Sequence, residues 1–255
     1  MRRLFLLFLL VGMPEGIIAQ QDAPSTAPRD GGVSQVLVSI YIPPRHNASF
    51  SAVVHTEWAK PLAGGGTSTV VNQRHVVRDR DGRIYQERWL LVPKNSEIKS
   101  MMNKIEISDP NEHTQYDCFL LGQFKGNCEL NSYAGVEWRE AAQPAGPMPG
   151  NRGYRTHEDL GVRYIEGIET VGTRDTSVIN AGVMGNDRPL KTVREYWRSE
   201  QLGVNLVSIM SSPEVGTQTF TLTNIDVTEP DPRVFELPQG YQIHDSRSLE
   251  EKRLN

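Results

Sequence analysis

The sequence predicts a mainly β, single-domain fold of antiparallel strands, and three observations carry that expectation. Apolar and polar residues alternate at period two through most of the chain, an Asp81-Gly82 step joins two β-rich runs, and turn signals recur at short intervals in the second half.

The alternation is clear from Phe50 to Trp58. Phe50, Ala52, Val54 and Trp58 share one parity while Ser51, His55 and Glu57 take the other, as in a half-buried strand. Val36 to Ile42 reads as the strand before it. Thr69 to Val77 and Ile84 to Val92 flank Arg78-Asp79-Arg80-Asp81-Gly82-Arg83, which reads as a hairpin turn. Asn95 to Asn103 has no β-branched run and reads as a helical turn or loop. Ala141 to Arg155 holds Pro144, Gly146, Pro147, Pro149 and Gly150 and reads as an extended connection. Beyond it, Arg163 to Glu169, Thr173 to Ile179, Thr192 to Trp197, Val204 to Met210 and Gln218 to Thr228 read as strands of a meander. Turns fall at Asn186 to Pro189 and Ser212 to Gly216, and Pro232 starts one short helical turn.

The N-terminus reads as an export signal over residues 1–19. Arg2 and Arg3 precede a short apolar run from Leu4 to Met13, Pro14 and Glu15 close it, and a small residue, Ala19, marks a cut. The run is too short to cross a bilayer as an ordinary helix, so the mature chain is expected to be soluble and periplasmic or secreted. Residues 20–32 are too poor in apolar groups to repay ordering and read as a disordered leader. One β domain is expected over 33–243, with the Pro/Gly-rich connection near 141–155, and a flexible tail over 244–255.

The full chain of 255 residues carries a formal charge of −4, and loss of Arg2, Arg3 and Glu15 makes it −5. The charges are interspersed without a basic stripe, which argues against nucleic acid as a partner. Cys118 and Cys128 are the two cysteines, and an oxidising compartment favours a disulfide stapling neighbouring strands, with two buried thiols as the other reading.

The second half carries Leu160-Gly-Val-Arg-Tyr-Ile-Glu-Gly-Ile-Glu-Thr-Val-Gly-Thr-Arg-Asp-Thr176, Arg194-Glu-Tyr-Trp197, Leu222-Thr-Asn-Ile-Asp226 and Pro232-Arg-Val-Phe235 to Pro238. These runs resemble exported bacterial proteins of the acidobacterial type, whose layout is similar to that of periplasmic lipoprotein carriers and related envelope sigma-factor regulators. The likeness covers about the last two fifths of the chain. It implies an open, unclosed, curved antiparallel half-barrel with a few short helices or loops on its concave face, where relatives hold an acyl chain or a peptide. The long Pro/Gly connection, the cysteine pair and the lack of amphipathic plug helices depart from the carriers.

No complete catalytic set is present. His157-Glu158 begins like a zinc-hydrolase helix, but Gly161 stands where the second histidine belongs. His55 and His75 share parity yet lack further ligands, and Asp79, Asp81 and Gly82 resemble a calcium loop that Arg83 spoils. Glu57 with Glu87, and Glu166 with Glu169, are paired carboxylates that read as solvated sheet charges, the second pair on opposite faces by parity. Serine-elbow and phosphate-loop motifs are absent from the sequence, so neither enzyme chemistry, cofactor nor metal is expected. Asn47-Ala48-Ser49 matches a glycosylation acceptor that a bacterial setting leaves unused. Trp58, Trp89, Trp138, Tyr164, Tyr196 and Trp197 are the candidates for a ligand-facing surface, with core packing as the competing account. The expected function is a periplasmic binding module for a hydrophobic or lipidated ligand. The alternative is an envelope regulator or interaction module that captures a protein partner at a sheet edge, and an exported hydrolase comes third.

Overall fold

Two antiparallel meanders meet at their ends to make one sheet. The computed structural model describes residues 37, 39–135 and 144–248. The expected signal peptide and leader and Trp138 lie outside them.

The first meander comprises β1 (Phe50–Pro61), β2 (Thr67–Arg78), β3 (Ile84–Trp89), the short β4 (Val92–Pro93), β5 (Met102–Asp109), β6 (Thr114–Phe119) and β7 (Asn127–Ser132). The second comprises β8 (Gly146–Pro147), β9 (Gly153–Ile165), β10 (Ile168–Ile179), β11 (Leu190–Ser199), β12 (Val204–Ser212) and β13 (Gly216–Asp226). A last strand, β14 (Gln242–Asp245), follows. Strand β13 returns to pair antiparallel with β1, giving a 14-stranded sheet in the order β14-β7-β6-β5-β3-β2-β1-β13-β12-β11-β10-β9-β8, with β4 on the flank of β2. The sheet is open and curved and does not close into a barrel, as the resemblance implied. Among the described residues helix is confined to two 3-10 turns, Pro149–Asn151 and Pro232–Phe235, the second capped by Asp231, which accepts from Arg233 N. No helix of the described residues is long and apolar enough to cross a membrane.

Four local expectations change. Val36–Ile42 is not a strand in its described residues: the chain runs as coil from Ser39 to Ser49, ahead of and through Pro43-Pro44. Arg163–Glu169 is not one strand but the end of β9, a turn and the start of β10. Glu166 and Gly167 take φ of 50° and 79° there, the paired left-handed conformation of a tight hairpin. The 95–103 loop ends early, because Met102 already belongs to β5. The tail expected from residue 244 begins inside β14, whose Gln242–Asp245 pairs in parallel with Asn127–Leu130, whereas the other strand pairs of the described residues are antiparallel.

The main core gathers Phe50, Ala52 and Val54 from β1, Val76 and Ile84 from the next two strands, Val204, Leu206, Phe220 and Leu222 from the second meander, and Ile40, Ile42 and Leu202 from connecting segments. A smaller cluster of Val77, Ile107 and Phe235 packs with Tyr85, Tyr116 and Leu237. Cys118 and Cys128 face each other across β6 and β7 and form a disulfide, both side chains wholly buried. Replacing both by alanine is expected to lower stability by roughly 2–3 kcal/mol, the loop-closure entropy of so short a ring. Equilibrium denaturation of the variant against the parent checks this, and an unchanged midpoint would count against it.

Candidate functional site

The covered face of the sheet changes character along its rows. Phe50, Arg78, Ile84, Ser108, Gln115 and Asn131 lie side by side across six strands, and Ala52, Val76, Gln86, Glu106, Asp117 and Glu129 form the next row. Near β1 this face is apolar and buried, whereas beyond β3 it is a ladder of polar and charged groups. Arg88 pairs with Glu106 at 2.5 Å, and Lys104 reaches Glu106 at 2.7 Å and Asp117 at 3.5 Å. Burial alone would raise the Glu106 carboxyl, but the hydrogen bonds and charges of Arg88 and Lys104 hold it below its ordinary value.

Two arginines stand where the apolar and polar parts meet. Strand parity places Arg74 and Arg78 on the same side as Val76, so both point under the coil segment 39–48. Arg78 is completely buried. It donates to Ala48 O from Nε (2.9 Å) and Nη2 (2.7 Å), to Pro43 O from Nη1 (2.8 Å), and to Leu202 O from Nη2 (2.6 Å), while its guanidinium lies 4.9 Å from the Phe50 ring. Arg74, 3% exposed, donates to Gln86 Oε1 at 2.7 Å, Ser39 Oγ at 3.2 Å and Ile40 O at 3.0 Å, and its Nε has no partner. Desolvation, with Arg88 nearby, pulls the Arg74 guanidinium down to about 9, and Glu106 opposes that shift. The segment these arginines hold is a strap. No residue from 39 to 46 belongs to a strand, yet Ile40 and Ile42 are 5% and 1% exposed in the main core.

The aromatic residues expected on a ligand-facing surface are engaged by neighbouring groups of the sheet. Trp58 is 5% exposed, donates Nε1–H to Val215 O at 2.7 Å and lies under Lys60. Trp89 and Trp197 each donate to the glutamate two residues earlier, Glu87 (2.7 Å) and Glu195 (2.8 Å), and the Arg163 guanidinium covers the Trp197 ring at 3.6 Å. Tyr196 pairs with Ser208 and Thr173 inside the sheet. Tyr164 is 68% exposed and donates to Glu169 at 3.0 Å.

The candidate chemical pairs also separate. Glu57 binds Lys94, whereas Glu87 is buried and accepts from Trp89, Tyr85 and His75 N. Glu166 sits in the β9–β10 turn and accepts from Ile225 N. His157 pairs with Asp175 at 2.7 Å, a contact the sequence left unpaired. Asp79 is taken by Arg83 and by Asp81 N, so the Asp79-Asp81-Gly82 run serves a turn. Among the described residues no group of three metal-ligating side chains converges.

Two open cavities accompany this arrangement. One, of about 380 Å³, is bordered by Asn47, Ser49, Arg80 and Glu229, with Glu229 accepting from Ser49 Oγ. The other, of about 240 Å³, lies against Arg83, Tyr116, Phe235 and Leu237. The first is lined mainly by polar groups, the second mixes Ile107, Tyr116, Phe235 and Leu237 with Arg83, Asp109, Glu112 and Thr114, and the apolar centre of the sheet is occupied by the strap.

No family model matches the chain, and no curated protein matches it. Among solved structures it is similar to LprF from Mycobacterium bovis, at 15% identity over 73% of this chain and 90% of that one, with a TM-score of 0.26. It is similar to an outer membrane lipoprotein-sorting protein domain from Vibrio parahaemolyticus, at 10% identity over 74% and 89%, TM-score 0.29. A DUF1329 family protein from Desulfovibrio piger aligns at 12% identity over 74% and 89%, TM-score 0.21. At these scores the likeness supplies no argument about function, which is left to the chain's own geometry.

Proposed function

We propose that the protein is an exported, non-enzymatic binding module that takes a hydrophobic or lipidated ligand onto the apolar centre of its sheet when the strap over residues 39–46 is displaced. The observation that carries this reading is the strap itself. It fills the apolar centre with Ile40 and Ile42 while standing outside the strand ladder, and two arginine side chains hold its carbonyls. An extended segment held by side chains can leave without unzipping the sheet, and its departure uncovers Phe50, Val54, Phe220 and Leu222. Native mass spectrometry of the mature protein from its own compartment tests the reading. A mass excess matching a fatty acid or phospholipid is expected. A clean apo mass, together with no uptake of added hexadecan-1-ol, would overturn it.

A second reading, capture of a protein partner by strand addition, is favoured by β9. Among the described residues its outer edge is paired only at Tyr154 and Arg155, by β8, leaving 156–165 open. Its bulge beside Gly161 and its charges blunt that edge, so the strap reading stands first. Slowed amide exchange confined to 156–165 in the presence of a co-purified envelope protein would favour this second reading.

A further inference from the structure

We propose that the ligand of the strap-covered site is an amphiphile with an anionic head, a long-chain carboxylate, whose head is received by Arg74 while its chain lies on the apolar centre. This rests on the reading that the strap moves aside for a ligand.

Three features of the covered face lead to it. Arg74 marks a chemical boundary: on one side lie Val54, Val76 and Ile40, on the other the ladder of Gln86, Arg88, Glu106, Lys104 and Asp117. A ligand placed across that boundary must be apolar at one end and polar at the other. The sign of the polar end follows from which groups are already satisfied. Arg88 and Lys104 have carboxylate partners in Glu106 and Asp117, whereas among the described residues Arg74 has no carboxylate within ion-pair distance and leans on neutral oxygens. Two of those three oxygens, Ser39 Oγ and Ile40 O, belong to the strap. When the strap leaves, Arg74 keeps Gln86 alone and presents free N–H groups at the head of an apolar surface, with its Nε–H unpartnered already. A buried guanidinium in that state is satisfied best by a planar, two-oxygen anion. The nearby Glu106 and Asp117 disfavour an anion farther along the ladder, which fixes the head at Arg74. The same logic disfavours a neutral lipid head, which cannot supply charge to a cation that burial already strains.

The test compares hexadecanoic acid with hexadecan-1-ol, titrated into the full mature protein near neutral pH below the solubility limit of each. A charge-assisted pair should make the acid bind about tenfold more tightly than the alcohol, as roughly 1.4 kcal/mol or more of net gain requires. Arg74→Gln should bring the ratio to within about twofold by weakening acid binding and sparing the alcohol. Retained alcohol binding shows that the Arg74→Gln variant is folded, and Arg188→Gln, at an exposed turn arginine outside the covered face, should leave the ratio unchanged. Equal binding of acid and alcohol by the parent would overturn the inference and leave the proposed function standing. Binding of neither would overturn both.

Discussion

Replacing Arg78 by methionine is expected to lower stability by about 4 kcal/mol, a large part of the roughly 5–15 kcal/mol of a typical domain. The side chain is wholly buried and ties three segments that no strand ladder joins: Pro43 in the strap, Ala48 at the entry to β1, and Leu202 in the β11–β12 turn. Methionine restores much of the volume but orphans three carbonyls, each costing about 1–3 kcal/mol when buried unsatisfied, with the added apolar contact offsetting part of it. Lysine at the same position can serve some of those carbonyls from one ammonium and should lose about half as much. Chemical denaturation reads the magnitude, and hydrogen exchange reads its place: protection should fall first over 40–49 and 199–204. A loss under about 1 kcal/mol would mean that water or rearranged loops satisfy the carbonyls, and Arg78 would not be the clasp the geometry describes.

Arg78 also shows what could and could not be read from the sequence. Parity alone puts Arg74 and Arg78 with Val76 on the face of β2 that meets Phe50 and Val54, and two arginines at core parity are a signal of buried cations. The partners were illegible, because they are backbone oxygens of a segment 30 or more positions away, which no alternation encodes. The β2–β3 hairpin and the turn at Pro232 were legible since their causes are local, an Asp-Gly step and an Asp-Pro cap. The β9–β10 turn was hidden because Glu166, a residue seldom found at positive φ, occupies the position where asparagine or aspartate would have announced it. Strands β5 to β7 were muted for another reason. Their covered-face positions hold Lys104, Glu106, Asp117 and Glu129 rather than apolar residues, so the alternation is marked from the other face, by Ile105, Ile107, Tyr116, Cys118, Cys128 and Leu130. That same substitution of charge for core is what gives the candidate site its polar end. The aromatic residues were conspicuous by size, but their N–H groups are spent on neighbouring glutamates and a backbone carbonyl, which chain order does not reveal.

Gly216→Ala is expected to lower stability by about 3 kcal/mol, the sum of a left-handed backbone forced on a residue with a Cβ and a contact that cannot relax cheaply. Gly216 opens β13 at φ of 82°, at the point where the second meander returns to β1 and Thr217 pairs with Ala59. A Cβ there would sit 2.1 Å from Ala59 O, 3.0 Å from Lys60 Cα and 3.0 Å from Pro61 Cδ, so relief requires moving the end of β1 away from β13. Gly167 supplies the comparison. Its φ is 79° but nothing lies within 4 Å of its would-be Cβ, so Gly167→Ala should carry only the conformational part, about 1 kcal/mol. The difference between the two variants in urea denaturation isolates the contact. If it exceeds about 1 kcal/mol, close approach at the β1–β13 seam is what holds the two meanders in register. If the two losses are equal, the seam tolerates displacement, and the glycine at 216 is there for its dihedral angle alone.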